Sequence, residues 1–202
     1  MKEKLFWSFL VLSILAVLGA AAWRQFSRVP AAPPGSSAPA ALPSAGPAPE
    51  FHLTDQTGRP FSGRSLDGSV WIADFIFTSC GGACPLMSAQ MQRMQALLPA
   101  SVHLVSISVD PKRDTPRRLA KYAGHYGANP ERWHFLTGPE PVISSLTREG
   151  FRLGYADGSD PAEPIIHSQR FVLVDAQGQI RGYYASDDPL QMERLVRDAR
   201  SL

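Results

Sequence analysis

Cysteine is nearly absent: the 202-residue chain has two, Cys80 and Cys84. Without a third thiol, a structural zinc site lacks the sulfur ligands that usually complete its set of four. Excess charge is missing as well. Lys and Arg number 20 against 18 Asp and Glu, a formal net charge of +2. No basic cluster occurs, which argues against nucleic acid as a partner. There is no internal repeat. Charge is absent altogether from Leu5 to Ala22 and again from residues 29–49.

The first uncharged stretch is predominantly apolar. As a helix its 18 residues would span about 27 Å, close to the apolar thickness of a bilayer. Lys2 and Lys4 precede it and Arg24 and Arg28 follow, so flanking charge alone does not orient it. A cleaved signal peptide, with Ala20-Ala21-Ala22 as cleavage site, is the rival reading. The apolar run exceeds the usual signal core of about 7–15 residues, and residues 1–28 are therefore expected to form an uncleaved membrane anchor. The second stretch is nearly all Pro, Ala, Ser and Gly, with too little large apolar surface to fold. Residues 29–49 read as a semi-extended tether. Residues 50–202 have the length of one domain with one core.

Within that domain, strand and helix signals alternate. Phe51–Thr54, the turn Asp55-Gln56-Thr57-Gly58 and Pro60-Phe61 suggest a hairpin. Apolar runs at Val70–Phe77 and Val102–Val109 have the character of strands buried on both faces. Helices are expected from about Pro85 to Leu98, from Pro116 to about Tyr126, over Glu140–Gly150 and over Pro189–Arg200. Trp133–Leu136, Arg170–Val174 and Ile180–Tyr184 read as further strands. Gly154–Pro164 reads as a Gly/Asp/Pro-rich excursion. The pattern predicts an α/β fold of thioredoxin type with an N-terminal hairpin.

The cysteines fall where the first apolar run meets a helix, in Thr78-Ser79-Cys80-Gly81-Gly82-Ala83-Cys84-Pro85. Pro85 suits a first helical turn. Both sulfurs are expected in a loop facing the positive end of a helix dipole, which favours thiolate. Thiolates serve either redox exchange or soft-metal binding. A structural disulfide would close too short a loop to restrict the unfolded chain much. A peroxiredoxin-type thiol is disfavoured, since Ala73 and Phe77 stand where Pro and Thr would be wanted. Three residues, two of them glycine, separate the thiols, letting both sulfurs point at a third object such as a metal.

Of the five histidines, His52, His103, His125 and His134 read as packing or surface residues. His167 precedes the strand from Arg170, on a connection that passes the cysteine loop in a thioredoxin-like sheet. Two thiolates and an imidazole would suit Cu(I), and with a further ligand Cu(II). Met87, Met91 and Met94 share a helix face and read as core filling. Asp110 and Asp114 are candidates for a metal or docking role, with a capped turn the preferred reading of Asp114.

Cys-x-x-x-Cys-Pro at 80–85, Asp-Pro-x-Arg-Asp-Thr-Pro at 110–116 and His167-Ser168 together resemble the Sco/SenC family of membrane-anchored copper proteins. The likeness extends over the chain after the tether. It implies a thioredoxin fold and a copper site made by Cys80, Cys84 and His167. It also implies a role in maturing the binuclear copper centre of cytochrome c oxidase, with the oxidase copper-binding subunit as partner. Other periplasmic copper chaperones or thiol reductants are further candidate partners. The expected location is the cytoplasmic membrane, single-pass, with the domain on the periplasmic side. Gly81-Gly82 departs from the Pro and Asp that family members often carry between the cysteines. Two roles stand open: a copper carrier, which is not an enzyme, and a thiol–disulfide oxidoreductase using Cys80 and Cys84.

Overall fold

Two apolar runs fix the centre of the sheet. In the computed structural model, which describes residues 42–153, 155–160 and 163–202 and the side chains of 42–153 and 168–202, they are β3 (Trp71–Ile76) and β4 (His103–Ser108). They pair in parallel from Trp71↔His103 to Ile76↔Ser108. All of β3 is buried, as expected of a parallel strand covered on both faces. The crossover between them is α1 (Ala83–Leu97), and α2 (Pro116–His125) leads on to β5 (Trp133–Thr137), parallel to β4. Met87, Met91 and Met94 of α1 lie in the core, as the helical spacing predicts.

The hairpin β1 (His52–Asp55) and β2 (Pro60–Ser62) is present, with Gly58 at φ +85° closing its turn. β1 pairs with β5 at only two positions. The Gln56 side chain extends that ladder, accepting from Phe135 N–H at 2.9 Å. After α3 (Glu140–Ser145) the helix widens into a π turn over Leu146–Gly150. The excursion at Gly154–Pro164 is corrected by the structure: β6 (Tyr155–Asp160) and β7 (Glu163–His167) form a two-stranded ribbon. Its Asp, Gly and Pro content masked a strand signal carried by Ile165 and Ile166. β8 (Arg170–Val174) then runs antiparallel to β3, and β9 (Ile180–Ala185) antiparallel to β8. The chain ends in α4 (Pro189–Ser201), capped by Asp188.

The main sheet has the order β2-β1-β5-β4-β3-β8-β9. Residues before Glu50, inside the stretch read as tether, lie along β9. Ala45 and Ala48 N–H groups donate to Ile180 and Gly178 carbonyls at 2.8 Å, and Arg181 donates to the Leu42 carbonyl. No helix among the described residues is long and apolar enough to cross a membrane. The expected span Leu5–Ala22 lies outside the described residues.

Candidate metal centre

β3 delivers the chain to the cysteines from the core. Phe77 is buried, Thr78 half-buried and Ser79 exposed, and the turn closes when Cys80 N–H donates to the Phe77 carbonyl at 3.2 Å. α1 begins sooner than Pro85 suggested, at Ala83. Cys84 therefore sits in the first helical turn rather than in the loop, and its side chain points inward. It is fully buried, whereas Cys80 is half-buried, and neither is in a disulfide. Cys84 Sγ accepts from the Phe77 N–H at 3.4 Å. The Cys80 side chain is its hydrogen-bonding neighbour, so the two sulfurs meet.

The expectation that the helix dipole makes both thiols acidic is corrected at Cys84. Burial pushes its pKa well above the ordinary thiol value, against the Phe77 N–H, and the neighbouring Cys80 and Asp74 push the same way. Desolvation outweighs a partial charge at a helix end, which acts at most as a modest term. Burial therefore holds Cys84 as a neutral thiol rather than a free thiolate. Among the described residues, a Cβ on Gly81 would meet nothing within 4 Å, so that side of the loop is uncrowded.

Beneath the loop lies a group whose role the sequence reading missed. Asp114 is fully buried. Its carboxylate accepts from the Thr78 N–H at 2.9 Å, from the Thr78 hydroxyl and from the Ser108 hydroxyl at 2.7 Å. Arg118 adds a bond to the Thr78 hydroxyl at 2.7 Å. The helix cap is Thr115, which accepts from the Arg118 N–H, with Pro116 at the first helical position. The capping assignment to Asp114 was therefore one residue off. Asp114 instead fixes Thr78, two residues before Cys80, to the end of β4. Asp110 pairs with Arg113 and shapes the turn between β4 and α2.

His167 closes β7, with Tyr155 opposite it in the ladder. Because β8 runs antiparallel to β3, pairing Ala73 with Val172, β8 begins at the end of the sheet where β3 finishes. The backbone joining β7 to β8 thus enters the sheet at the cysteine end. No group of three His, Cys, Asp or Glu side chains converges among the described residues. His52 and His125 are exposed, on β1 and in the last turn of α2. His103 and His134 face one another at the opposite end of β4.

The SCO1/SenC family model matches residues 41–202. A SCO1 homologue of Bacillus subtilis is 34% identical over 155 residues, covering 75% of this chain and 80% of that protein. The solved structure of BsSco, described as a Sco family member of the cytochrome c oxidase assembly proteins with a disulfide switch, is 32% identical. It superposes with a TM-score of 0.69, covering 79% of this chain and 96% of that one. The copper-bound structure of ScoI from Bradyrhizobium japonicum shares the fold at 24% identity and a TM-score of 0.63, covering 77% of this chain and 99% of that one. The thioredoxin-like sheet, the cysteine pair at its end and these likenesses agree, and the chain belongs to the SCO1/SenC family.

Proposed function

We propose that this chain is a membrane-anchored copper carrier that binds copper through Cys80, Cys84 and His167 and hands it to the copper-binding subunit of cytochrome c oxidase. One observation carries the reading: two meeting thiols of unequal depth at the end of a parallel strand, one buried and one reachable. The copper ion is cargo. Cys84 releases a proton as its sulfur takes the metal, because the ligand is the thiolate. The buried sulfur holds the ion from inside. Cys80, beside the uncrowded Gly81, is where an incoming ligand exchanges first. The oxidase partner is supported by family membership and by what is described for BsSco.

The expected result for His167→Ala is an intact fold with copper affinity at least about ten-fold weaker, equivalent to about 1.4 kcal/mol. Cu(II) should suffer more than Cu(I), since imidazole is the ligand that Cu(II) prefers here. His125→Ala, on an exposed helix end, is the control. Competition titrations with both copper states read the outcome. Unchanged affinity would remove His167 from the site.

The same unequal pair favours a second role, reduction of the partner's copper-ligand cysteines. Cys80 would attack the partner disulfide, and Cys84 would resolve the mixed disulfide, releasing the partner's dithiol and leaving a Cys80–Cys84 bridge. Thiol–disulfide exchange that survives His167→Ala while copper binding is lost would separate the two roles. Location is tested separately. A periplasm-dependent reporter fused after Leu202 should be active, and a cytoplasm-dependent reporter there silent; the reverse pattern would sink the anchored, exported topology.

A further inference from the structure

The β1–β2 hairpin is tied to the sheet by few bonds. β1 meets β5 at two register positions. The Gln56 side chain accepts from the Phe135 N–H at 2.9 Å and donates to the Trp133 carbonyl at 3.4 Å. An aromatic contact supplements them. Phe61 of β2 packs on the His134 ring, with centroids 4.7 Å apart. His134 in turn lies against His103, 6.0 Å away and 16° from parallel. Side chains alternate across a strand, so Asp55, opposite Leu136, shares this face with both histidines. The pair lines a cleft of about 400 Å³ whose walls include Arg59 and Phe61 of the hairpin. The His103 Nδ1 is buried and has no hydrogen-bond partner among the described residues.

From this geometry we propose that the stacked His103–His134 pair is an acid-sensitive latch: while both rings are neutral it holds the β1–β2 hairpin on β5, and protonation releases the hairpin and bares the edge of β5. Neutral imidazoles stack without penalty, but a proton on each ring would set two positive charges 6.0 Å apart under partial burial. A protonated imidazole must also place two N–H donors, and at His103 Nδ1 no acceptor stands within reach among the described residues. Opening the hairpin puts His134 in water, which removes both costs. A segment held by few contacts opens locally, without unfolding the domain. The bared edge of β5 then carries unpaired N–H and C=O groups able to accept a strand from another chain.

The charged groups around the pair come from each neighbouring element. β1 supplies Asp55, and the hairpin turn supplies Arg59, 3.8 Å from its carboxylate. Arg132, just before β5, directs its donors to the carbonyls of Gln95, Leu98 and Val102. Arg64, after β2, pairs with Glu50, and β4 carries no charged residue besides His103. Burial lowers the His134 pKa from 6.5 to about 4, with His103 adding to the shift and Asp55 opposing it. Burial, and then Arg132, lowers His103 as well. Asp55, despite burial, is held below 3.8 by the Thr57 hydroxyl and the Arg59 and Thr57 N–H groups, so it stays charged over the same range. A histidine with a lower pKa docked than released binds its proton more readily in the released state. The docked hairpin therefore loses ground as pH falls from about 6.5 to about 4, and histidine takes nothing further from it below that.

The test is amide hydrogen exchange of the full chain in detergent at about pH 7.5 and about pH 5, corrected for the intrinsic pH dependence of exchange. Protection of the β1 and β2 amides should fall about ten- to thirty-fold at the lower pH, the smaller figure allowing for water that reaches part of His134. Protection of the β8 and β9 amides should hold or rise. His134→Phe keeps an aromatic ring on Phe61 and should abolish the fall. The His134 imidazole, followed by NMR in the parent chain, should titrate near pH 4, a reading that needs no variant to fold. Hairpin protection unchanged at about pH 5, an equal loss in β8 and β9, a fall that persists in His134→Phe, or a His134 midpoint near 6.5 would overturn the proposal.

Discussion

Asp114→Ala is expected to destabilise the domain by about 3–5 kcal/mol, the range for breaking a buried, fully hydrogen-bonded carboxylate site. The substitution leaves the Thr78 N–H and the Thr78 and Ser108 hydroxyls without their shared acceptor. It also leaves Arg118 without the carboxylate at 3.6 Å. The loss should register twice. Urea unfolding should show a lower midpoint at unchanged slope, and Cys80 should react faster with a bulky thiol reagent, because Thr78 no longer holds the root of its loop. Asp114→Asn should recover part of both effects, since its amide oxygen can still accept. A loss below about 1 kcal/mol, within the range of an ordinary hydrogen bond, would show that Asp114 does not hold the loop.

A second large effect, of opposite sign, is expected at Asp74. This residue of β3 is fully buried, and neither carboxyl oxygen makes a well-formed hydrogen bond. Burial raises its pKa to about 7, with Ser106, opposite on β4, and its own N–H pulling weakly the other way. A carboxyl that ionises near 3.8 when unfolded and near 7 when folded opposes folding wherever the unfolded chain has already lost the proton. The penalty is absent below about pH 4, grows between about 4 and 7, and is constant above. At about 1.4 kcal/mol per unit it reaches on the order of 4 kcal/mol at pH 8. Asp74→Asn should therefore be more stable than the parent at pH 8, with little difference at pH 4. The gain falls short of the full penalty, because a buried amide also lacks partners. Denaturant titrations at the two pH values measure it. A variant that is less stable than the parent at pH 8 would refute the account.

Much of this fold can be read from period and punctuation. Val70–Phe77 and Val102–Val109 announce central strands by unbroken apolar character, and Pro116 and Pro189 mark helix starts because the first turn needs no N–H from them. What escaped the sequence depends on distant partners. Asp114 looks like a cap from its neighbours; only folding brings Thr78, 36 residues earlier, within reach of its carboxylate. The β6–β7 ribbon escaped because it is a separate two-stranded sheet in a segment whose Asp, Gly and Pro content gives a weak strand signal. Cys84 was legible as a reactive position but not as a buried one, since its depth depends on where α1 begins. His103 and His134 each look ordinary alone, and only the parallel pairing of β4 and β5 brings them together.

The strap formed by residues 42–48 has a consequence for crowding. A sheet ordinarily ends in strands whose free N–H and C=O groups can recruit another chain. Here β9, one outermost strand, is covered by the segment that pairs Pro47 with Gln179 and bonds Ala45 to Ile180. At the other margin β2 has three residues and begins with Pro60, which has no N–H to offer. Neither margin is an inviting template for strand addition. For a protein held at a membrane as proposed, where neighbouring copies meet at high local density, blunted margins would let many copies share one surface without zipping together sheet to sheet.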